Sequence, residues 1–279
     1  MDISSRAARG EGEIDVTTPR AGSLHTHRSF RSEFLVKERD VVVYLPPGYE
    51  AGAARRYPVL YLQDGQNLFD GSTAFIFGQH WHVGETADAL IVAGAVEPLV
   101  IVGIYNAGEQ RINEYTPTRD RHRKIGGQAD LYGRFLVEEL KPFMDAQYRT
   151  LTDAPNTGLG GSSLGGLVSL HLGIKYPRVF GKLAVLSPSI WWNRRMILHR
   201  VRRLDAKADL RIWIDVGTAE GANTVKDAAL LRDALVARGW VPDLDLKYVE
   251  AEGAGHNELA WAERVGPLLK FLFPATRAA

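Results

Sequence analysis

The run Gly158-Leu159-Gly160-Gly161-Ser162-Ser163-Leu164-Gly165-Gly166 contains Gly161-Ser162-Ser163-Leu164-Gly165, a G-x-S-x-G pattern. That spacing suits a sharp strand-to-helix turn that pushes a serine hydroxyl out to where a base can reach it. Glycines two residues to either side let such a turn close without a Cβ clash. The free amides that open the next helix favour developing negative charge. The pentapeptide alone also occurs in ordinary tight turns, so its context decides. After it, Leu164, Leu167, Val168, Leu170, Leu172 and Ile174 continue as an apolar helical pattern ending near Tyr176-Pro177. Before it, a short glycine-rich run led by Asn156-Thr157 suits a close-packed strand. Strand, serine and helix stand in the required order, and Ser163 is the candidate nucleophile.

The flanking sequence alternates in the same way. Ser23 to Phe34 and Arg39 to Leu45 read as two strands of a hairpin, the second stopped by Pro46-Pro47-Gly48. Tyr57 to Leu62 is a buried strand running into Gln63-Asp64-Gly65-Gln66-Asn67. A helix over His82 to Val96 and a strand over Leu99 to Tyr105 follow. Asn106 to Arg123 is a long polar loop, of a length that usually carries function. A helix from Gln128 to Tyr148 precedes the serine turn. Beyond it come a strand near Leu183 to Leu186, the turn Ser187-Pro188-Ser189-Ile190-Trp191-Trp192 and a basic helix to about Leu204. A seventh strand over Leu210 to Val216, a helix over Val225 to Arg238, a strand over Leu244 to Val249 and a last helix over Leu259 to Phe273 complete the chain. The expectation is an α/β protein with a mostly parallel central sheet, helices on both faces and an antiparallel N-terminal hairpin. Residues 1–22 read as a polar, flexible lead and 23–279 as a single domain.

Composition narrows the function. With 45% hydrophobic and 24% charged residues the chain has the make-up of a globular protein. Its 34 Lys and Arg against 33 Asp and Glu leave a net charge of +1, so no broad field favours nucleic acid or anionic lipid. No cysteine is present, which excludes a thiol nucleophile, disulfides and thiolate zinc sites. The N-terminus shows no apolar signal region, and Glu97-Pro98 splits the apolar run from Ala89 to Tyr105. A cytoplasmic protein that does not enter a membrane is expected.

In an α/β-hydrolase fold the serine is followed along the chain by the acid and then the histidine. Of eight histidines, His25, His27, His80, His82 and His122 precede Ser163, while His171 and His199 fall within expected helices. His256 lies in the glycine-rich loop after the last strand, and is the candidate base. Glu220, just past the seventh strand, is the leading acid; Asp215 within that strand is its rival and Asp227 a third choice. The loop after the third strand supplies an oxyanion-hole amide in this fold, which points to Gln66, with Leu164 after the nucleophile as the second. His25-x-His27 and His80-x-His82 resemble metal pairs but have no carboxylate or cysteine in a recognised spacing, so no metal or cofactor is expected. Trp191 and Trp192 are read as walls of a substrate pocket in preference to core aromatics.

These segments resemble a known family. Val43 to Tyr49, Leu60 to Phe69, Glu114-Tyr115-Thr116-Pro117, Gly161 to Gly166 and Gly253 to Glu258 are similar to the esterase D and enterochelin-esterase-like group of α/β-hydrolases. Feruloyl esterases and mycolyltransferases belong to that group. The resemblance spans roughly residues 30–273. It implies Ser163 as nucleophile, His256 as base, Glu220 as acid and the Leu164 and Gln66 amides as oxyanion hole. It also implies that Asp64, Asn106, Arg111 and Glu114 line or brace the pocket. The expected activity is hydrolysis of a small-molecule carboxylic ester through an acyl-enzyme. Acyl transfer on the same scaffold and a silent ligand-binding protein are the alternatives, and the oligomeric state is left open.

Overall fold

The computed structural model describes residues 22–51, 54–120 and 122–275; the N-terminal lead expected over 1–22 lies outside them except for Gly22. Ten strands are present among the described residues: β1 (Ser23–Phe30), β2 (Arg39–Leu45), β3 (Val59–Gln63), β4 (Val100–Ile104), β5 (Arg119–Asp120), β6 (Ile125–Gly126), β7 (Thr157–Ser162), β8 (Lys182–Leu186), β9 (Arg211–Gly217) and β10 (Leu246–Ala251). Eight of them form one sheet in the order β1-β2-β4-β3-β7-β8-β9-β10, and β5 and β6 pair separately. The β1–β2 and β2–β4 pairs are antiparallel and every later pair in the large sheet is parallel, as the α/β-hydrolase reading requires.

Alternation along the strands explains the layering. Val59 and Tyr61 face one core while Leu60 and Leu62 face the other; Leu183 and Val185 oppose Ala184 and Leu186, and Ile212 and Ile214 oppose Trp213. Because both faces are buried, the strands read as near-continuous apolar runs. Two helices, α1 (Val83–Val92) and α8 (Glu258–Leu272), cover the second face. The first is covered by α3 (Ala129–Arg134) and its continuation, α5 (Leu164–Lys175), α6 (Trp192–Arg202) and α7 (Ala222–Val236). Among the described residues no helix is long and apolar enough to cross a membrane.

Three local details differ from the sequence reading. The helix expected over Gln128 to Tyr148 passes through a π-helical stretch, Phe135–Leu140, before resuming as α4 (Lys141–Gln147). The long loop after β4 is not structureless: it holds a 3-10 turn, the short helix α2 (Arg111–Tyr115) and the β5–β6 ribbon. Helix α6 contains three consecutive left-handed residues, Asn193, Arg194 and Arg195, a conformation disfavoured for side chains with a Cβ.

Candidate active site

Ser163 sits between β7 and α5 at φ 57°, ψ −120°, a strained backbone that lifts its side chain out of the sheet. The strain is held from both sides. Its amide donates to the Leu186 carbonyl (3.0 Å), and its carbonyl accepts from Leu167 (3.1 Å) and Ser189 (3.0 Å). The glycines of the motif are required by close packing: a Cβ on Gly161 or Gly165 would stand 2.8 or 3.0 Å from Gln63 Cβ. The Gln63 side chain is in turn fixed by the Tyr132 hydroxyl, which donates to its Oε1.

Glu220 ends a 3-10 turn that follows β9, with its side chain 1% exposed. Its Oε1 accepts from the Ser187 hydroxyl (2.5 Å) and the Gly217 amide (2.8 Å), and its Oε2 contacts His256 Nδ1 at 2.7 Å. Burial alone would raise this carboxyl; hydrogen bonds from His256, Ser187 and Gly217 outweigh it and hold Glu220 below its ordinary value. His256 precedes Asn257, whose side chain caps α8 by accepting from the Ala260 amide (3.0 Å). The imidazole meets the Trp261 indole edge-on at 4.9 Å. With Nδ1 engaged by Glu220, Nε2 is the ring nitrogen left for the cavity.

The rival acid has a different environment. Asp215 is fully buried, accepts from Trp213 Nε1 (2.7 Å) and the Ser187 amide (3.3 Å), and lies 3.4 Å from Arg264. Burial pushes its carboxyl up to about 6, partly offset by Arg264 and these hydrogen bonds. It makes no hydrogen bond to His256. The third choice, Asp227, is paired with Arg195 at 2.6 Å.

Ser163 and His256 line one cavity of about 320 Å³, together with Asp64, Gln66, Asn106 and Arg111. Ser163 Oγ is hydrogen-bonded to Ser189 Oγ (3.2 Å) and not to the imidazole. Asp64, itself left-handed at φ 57°, takes Arg111 on both oxygens (2.7 Å each) and Asn106 Nδ2 on one (2.7 Å). The Arg111 guanidinium is held charged by Asp64 even though burial opposes it. The Leu164 and Gln66 amides both fall in the first turn of a helix, where amides lack an intrahelical acceptor.

Three of the residues expected in the pocket do not line it. Glu114 is buried because Arg39 takes both of its carboxylate oxygens (2.8 and 3.0 Å), tying α2 to β2. Trp192 is core: its indole donates to the Thr118 carbonyl (2.9 Å) and the ring is 2% exposed. Trp191 instead edges a separate cavity with Arg119, Asp120, His122, Arg123, Asn193 and Arg194. The apolar wall of the serine cavity comes from Phe75, Ile76 and Trp261. The sequence reading gives Ser187 and Ser189 no role, because in the turn after β8 the adjacent tryptophans are the more conspicuous signal. Among the described residues the group with metal-ligand spacing is His80, His82 and Glu85, which lies outside this cavity lining.

The family model described as "Putative esterase" matches residues 32–266. The chain is 25% identical over 269 residues to the "Uncharacterized protein YbbA" of Bacillus subtilis (strain 168), covering 92% of this chain and 98% of that one. It is 32% identical over 159 residues to the ferri-bacillibactin esterase BesA of the same organism, covering 52% of each. The crystal structure of an IroE-like serine hydrolase from Shewanella oneidensis superposes with a TM-score of 0.71 at 22% identity, over 90% of this chain and 80% of that one. With most of its length matched by one family model, the chain belongs to the esterase family, and it is an ester hydrolase.

Proposed function

We propose that the esterase works through a serine nucleophile and an acyl-enzyme, with Ser163, His256 and Glu220 as its triad. Ser163 Oγ attacks the ester carbonyl while His256 Nε2 takes its proton. The oxygen of the tetrahedral intermediate is stabilised by the Leu164 and Gln66 amides. His256 then protonates the departing alcohol, leaving an acyl group on Ser163 Oγ. Water, deprotonated by His256, attacks that acyl group, and collapse of the second intermediate frees the carboxylic acid and returns the proton to Ser163.

The observation that carries this reading is the meeting of a strained strand-to-helix serine and a carboxylate-bound histidine on one cavity. Glu220, kept ionised, holds the imidazole with Nδ1 as donor and stabilises its charged form. The serine hydroxyl must turn from Ser189 to meet the base; catalytic hydrogen bonds are commonly loose before substrate arrives. Asp64, which also accepts from Asn106, orients Arg111 at the cavity, where its guanidinium takes a polar or anionic part of a small-molecule ester. Phe75, Ile76 and Trp261 take the apolar part. An iron-chelating ester of the kind named for BesA fits this class.

Intact mass after treatment with a fluorophosphonate tests the assignment. One adduct on the wild type, absent from Ser163→Ala, is expected; an adduct retained on folded Ser163→Ala would overturn it.

A further inference from the structure

On the same side of the sheet as α8, the chain enters α1 through His80-Trp81-His82. Trp81 is buried against Trp261, their ring centroids 5.7 Å apart, and its two neighbours are brought together with ring centroids 3.8 Å apart. Glu85 lies in the first turn of α1, three residues after His82, and so on the same helix face. Its Oε1 is 3.6 Å from His80 Nε2 and 3.6 Å from His82 Nδ1. One ligand atom from each of the three residues lies within 4.8 Å of the others.

Those separations suit a shared ion. Zinc bound tetrahedrally at about 2.0–2.1 Å from nitrogen and oxygen has neighbouring ligand atoms roughly 3.4 Å apart. A second observation concerns His80 alone. Both of its ring nitrogens are buried and neither has a hydrogen-bond partner. Buried polar nitrogens without partners are rare and costly, and an ion would satisfy Nε2, the one that faces Glu85. His82 and Glu85 are 51% and 62% exposed, which leaves an entry path and room for solvent ligands. Two imidazoles and one carboxylate are a donor set suited to borderline divalent ions and poorly suited to magnesium or calcium.

We propose that His80, His82 and Glu85 form a site for a divalent transition-metal ion of the zinc class. The site stands apart from the triad. It closes the segment from Leu68 to His80, whose Phe75 and Ile76 wall the ester cavity, and a bound ion would tie the end of that segment to α1.

The test is zinc titration of chelator-treated protein, read by calorimetry and by thermal unfolding. The informative variants are His82→Asn and Glu85→Gln. Asparagine tolerates the left-handed backbone of His82 (φ 51°) and suits the helix N-cap, so the first variant removes the ligand and preserves the fold. The wild type is expected to bind one zinc per chain, with a melting temperature that rises with free zinc by mass action. Each variant should weaken binding at least about tenfold, since even residues that merely support a ligand cost that much. His25→Ala, altering the other histidine pair, should bind zinc as the wild type does. Ester turnover of the two variants in metal-free buffer should match the wild type, which separates this site from the triad. Absence of saturable zinc binding by the wild type, undiminished binding by both variants, or loss of binding in His25→Ala would each overturn the proposal.

Discussion

Behind His256, Glu220, Ser187, Asp215, Trp261 and Arg264 form a buried polar wall in which Ser187 Oγ donates to Glu220 and receives Trp261 Nε1 (3.0 Å) and Arg264 Nη2 (3.2 Å). Across the cavity, Phe75 and Ile76 are 84% and 41% exposed, with no comparable network to hold their side chains. The wall is held by several hydrogen bonds that converge on Ser187 and Glu220. The apolar rim is loosely specified and can change without disturbing the chemistry. With the proposed triad, reactivity and recognition fall to different kinds of structure, and substitutions on the two sides should fail in different ways.

The largest effect is expected where wall and cavity meet. Ser163→Ala should lower kcat/KM for a nitrophenyl ester by about 10⁴-fold or more, as for other hydrolases stripped of the nucleophile. Alanine accepts the same backbone conformation as readily as serine, so circular dichroism and the melting temperature should stay near those of the wild type. Glu220→Gln should cost roughly 10²–10⁴-fold, mainly in kcat, because an amide cannot stabilise the charged imidazole. Asp215→Asn should leave kcat within about tenfold, because Asp215 does not touch His256. A kcat loss in Asp215→Asn equal to that of Glu220→Gln would break the distinction between the two carboxylates.

The order of the candidate serine, acid and histidine along the chain is legible in the sequence, since each follows the end of an apolar strand run. Glu220 already leads Asp215 in the sequence, because it lies past the strand end; what the sequence does not show is the 3-10 turn over Thr218–Glu220, which carries the carboxylate one turn past the strand while Asp215 stays inside the sheet. The tryptophans show the same boundary in reverse. Sequence places Trp191 and Trp192 beside the serine turn, yet a hydrogen bond from Trp192 to Thr118, 74 residues earlier, commits that ring to the core. Glu114 is decided by Arg39, 75 residues away. Strand and helix are local properties of the chain; the direction of a side chain at a loop end is set by partners distant in sequence.

The two carboxylates also predict opposite pH responses. Asp215 titrates at about 6 in the folded protein against an ordinary 3.8, so the folded state binds more protons between these values and stability falls as pH rises from about 4 to about 6. The contribution is on the order of 3 kcal/mol. Glu220, held below its ordinary value, stabilises the fold above that value, and its contribution is lost as pH falls through the folded-state value. Chemical denaturation across this range should show Asp215→Asn gaining stability relative to the wild type as pH rises. Glu220→Gln should lose relative stability as pH rises toward the ordinary glutamate value, below most of the Asp215 window, and parallel profiles for all three proteins from acid to about pH 6 would contradict the assigned environments.

The smallest effect is expected at the rim, and it sharpens the comparison most. Phe75 lines the cavity but contributes little to the core, so Phe75→Ala should shift unfolding free energy by no more than about 0.5 kcal/mol. Its effect should appear in substrate choice. For esters with a bulky apolar acyl group, kcat/KM should fall roughly three- to tenfold through KM, while acetyl esters, too short to reach the ring, should be hydrolysed as before. A uniform loss across acyl lengths would mean that Phe75 supports the catalytic geometry itself. The separation of a rigid chemical wall from an adaptable rim would then fail at the residue where it is easiest to measure.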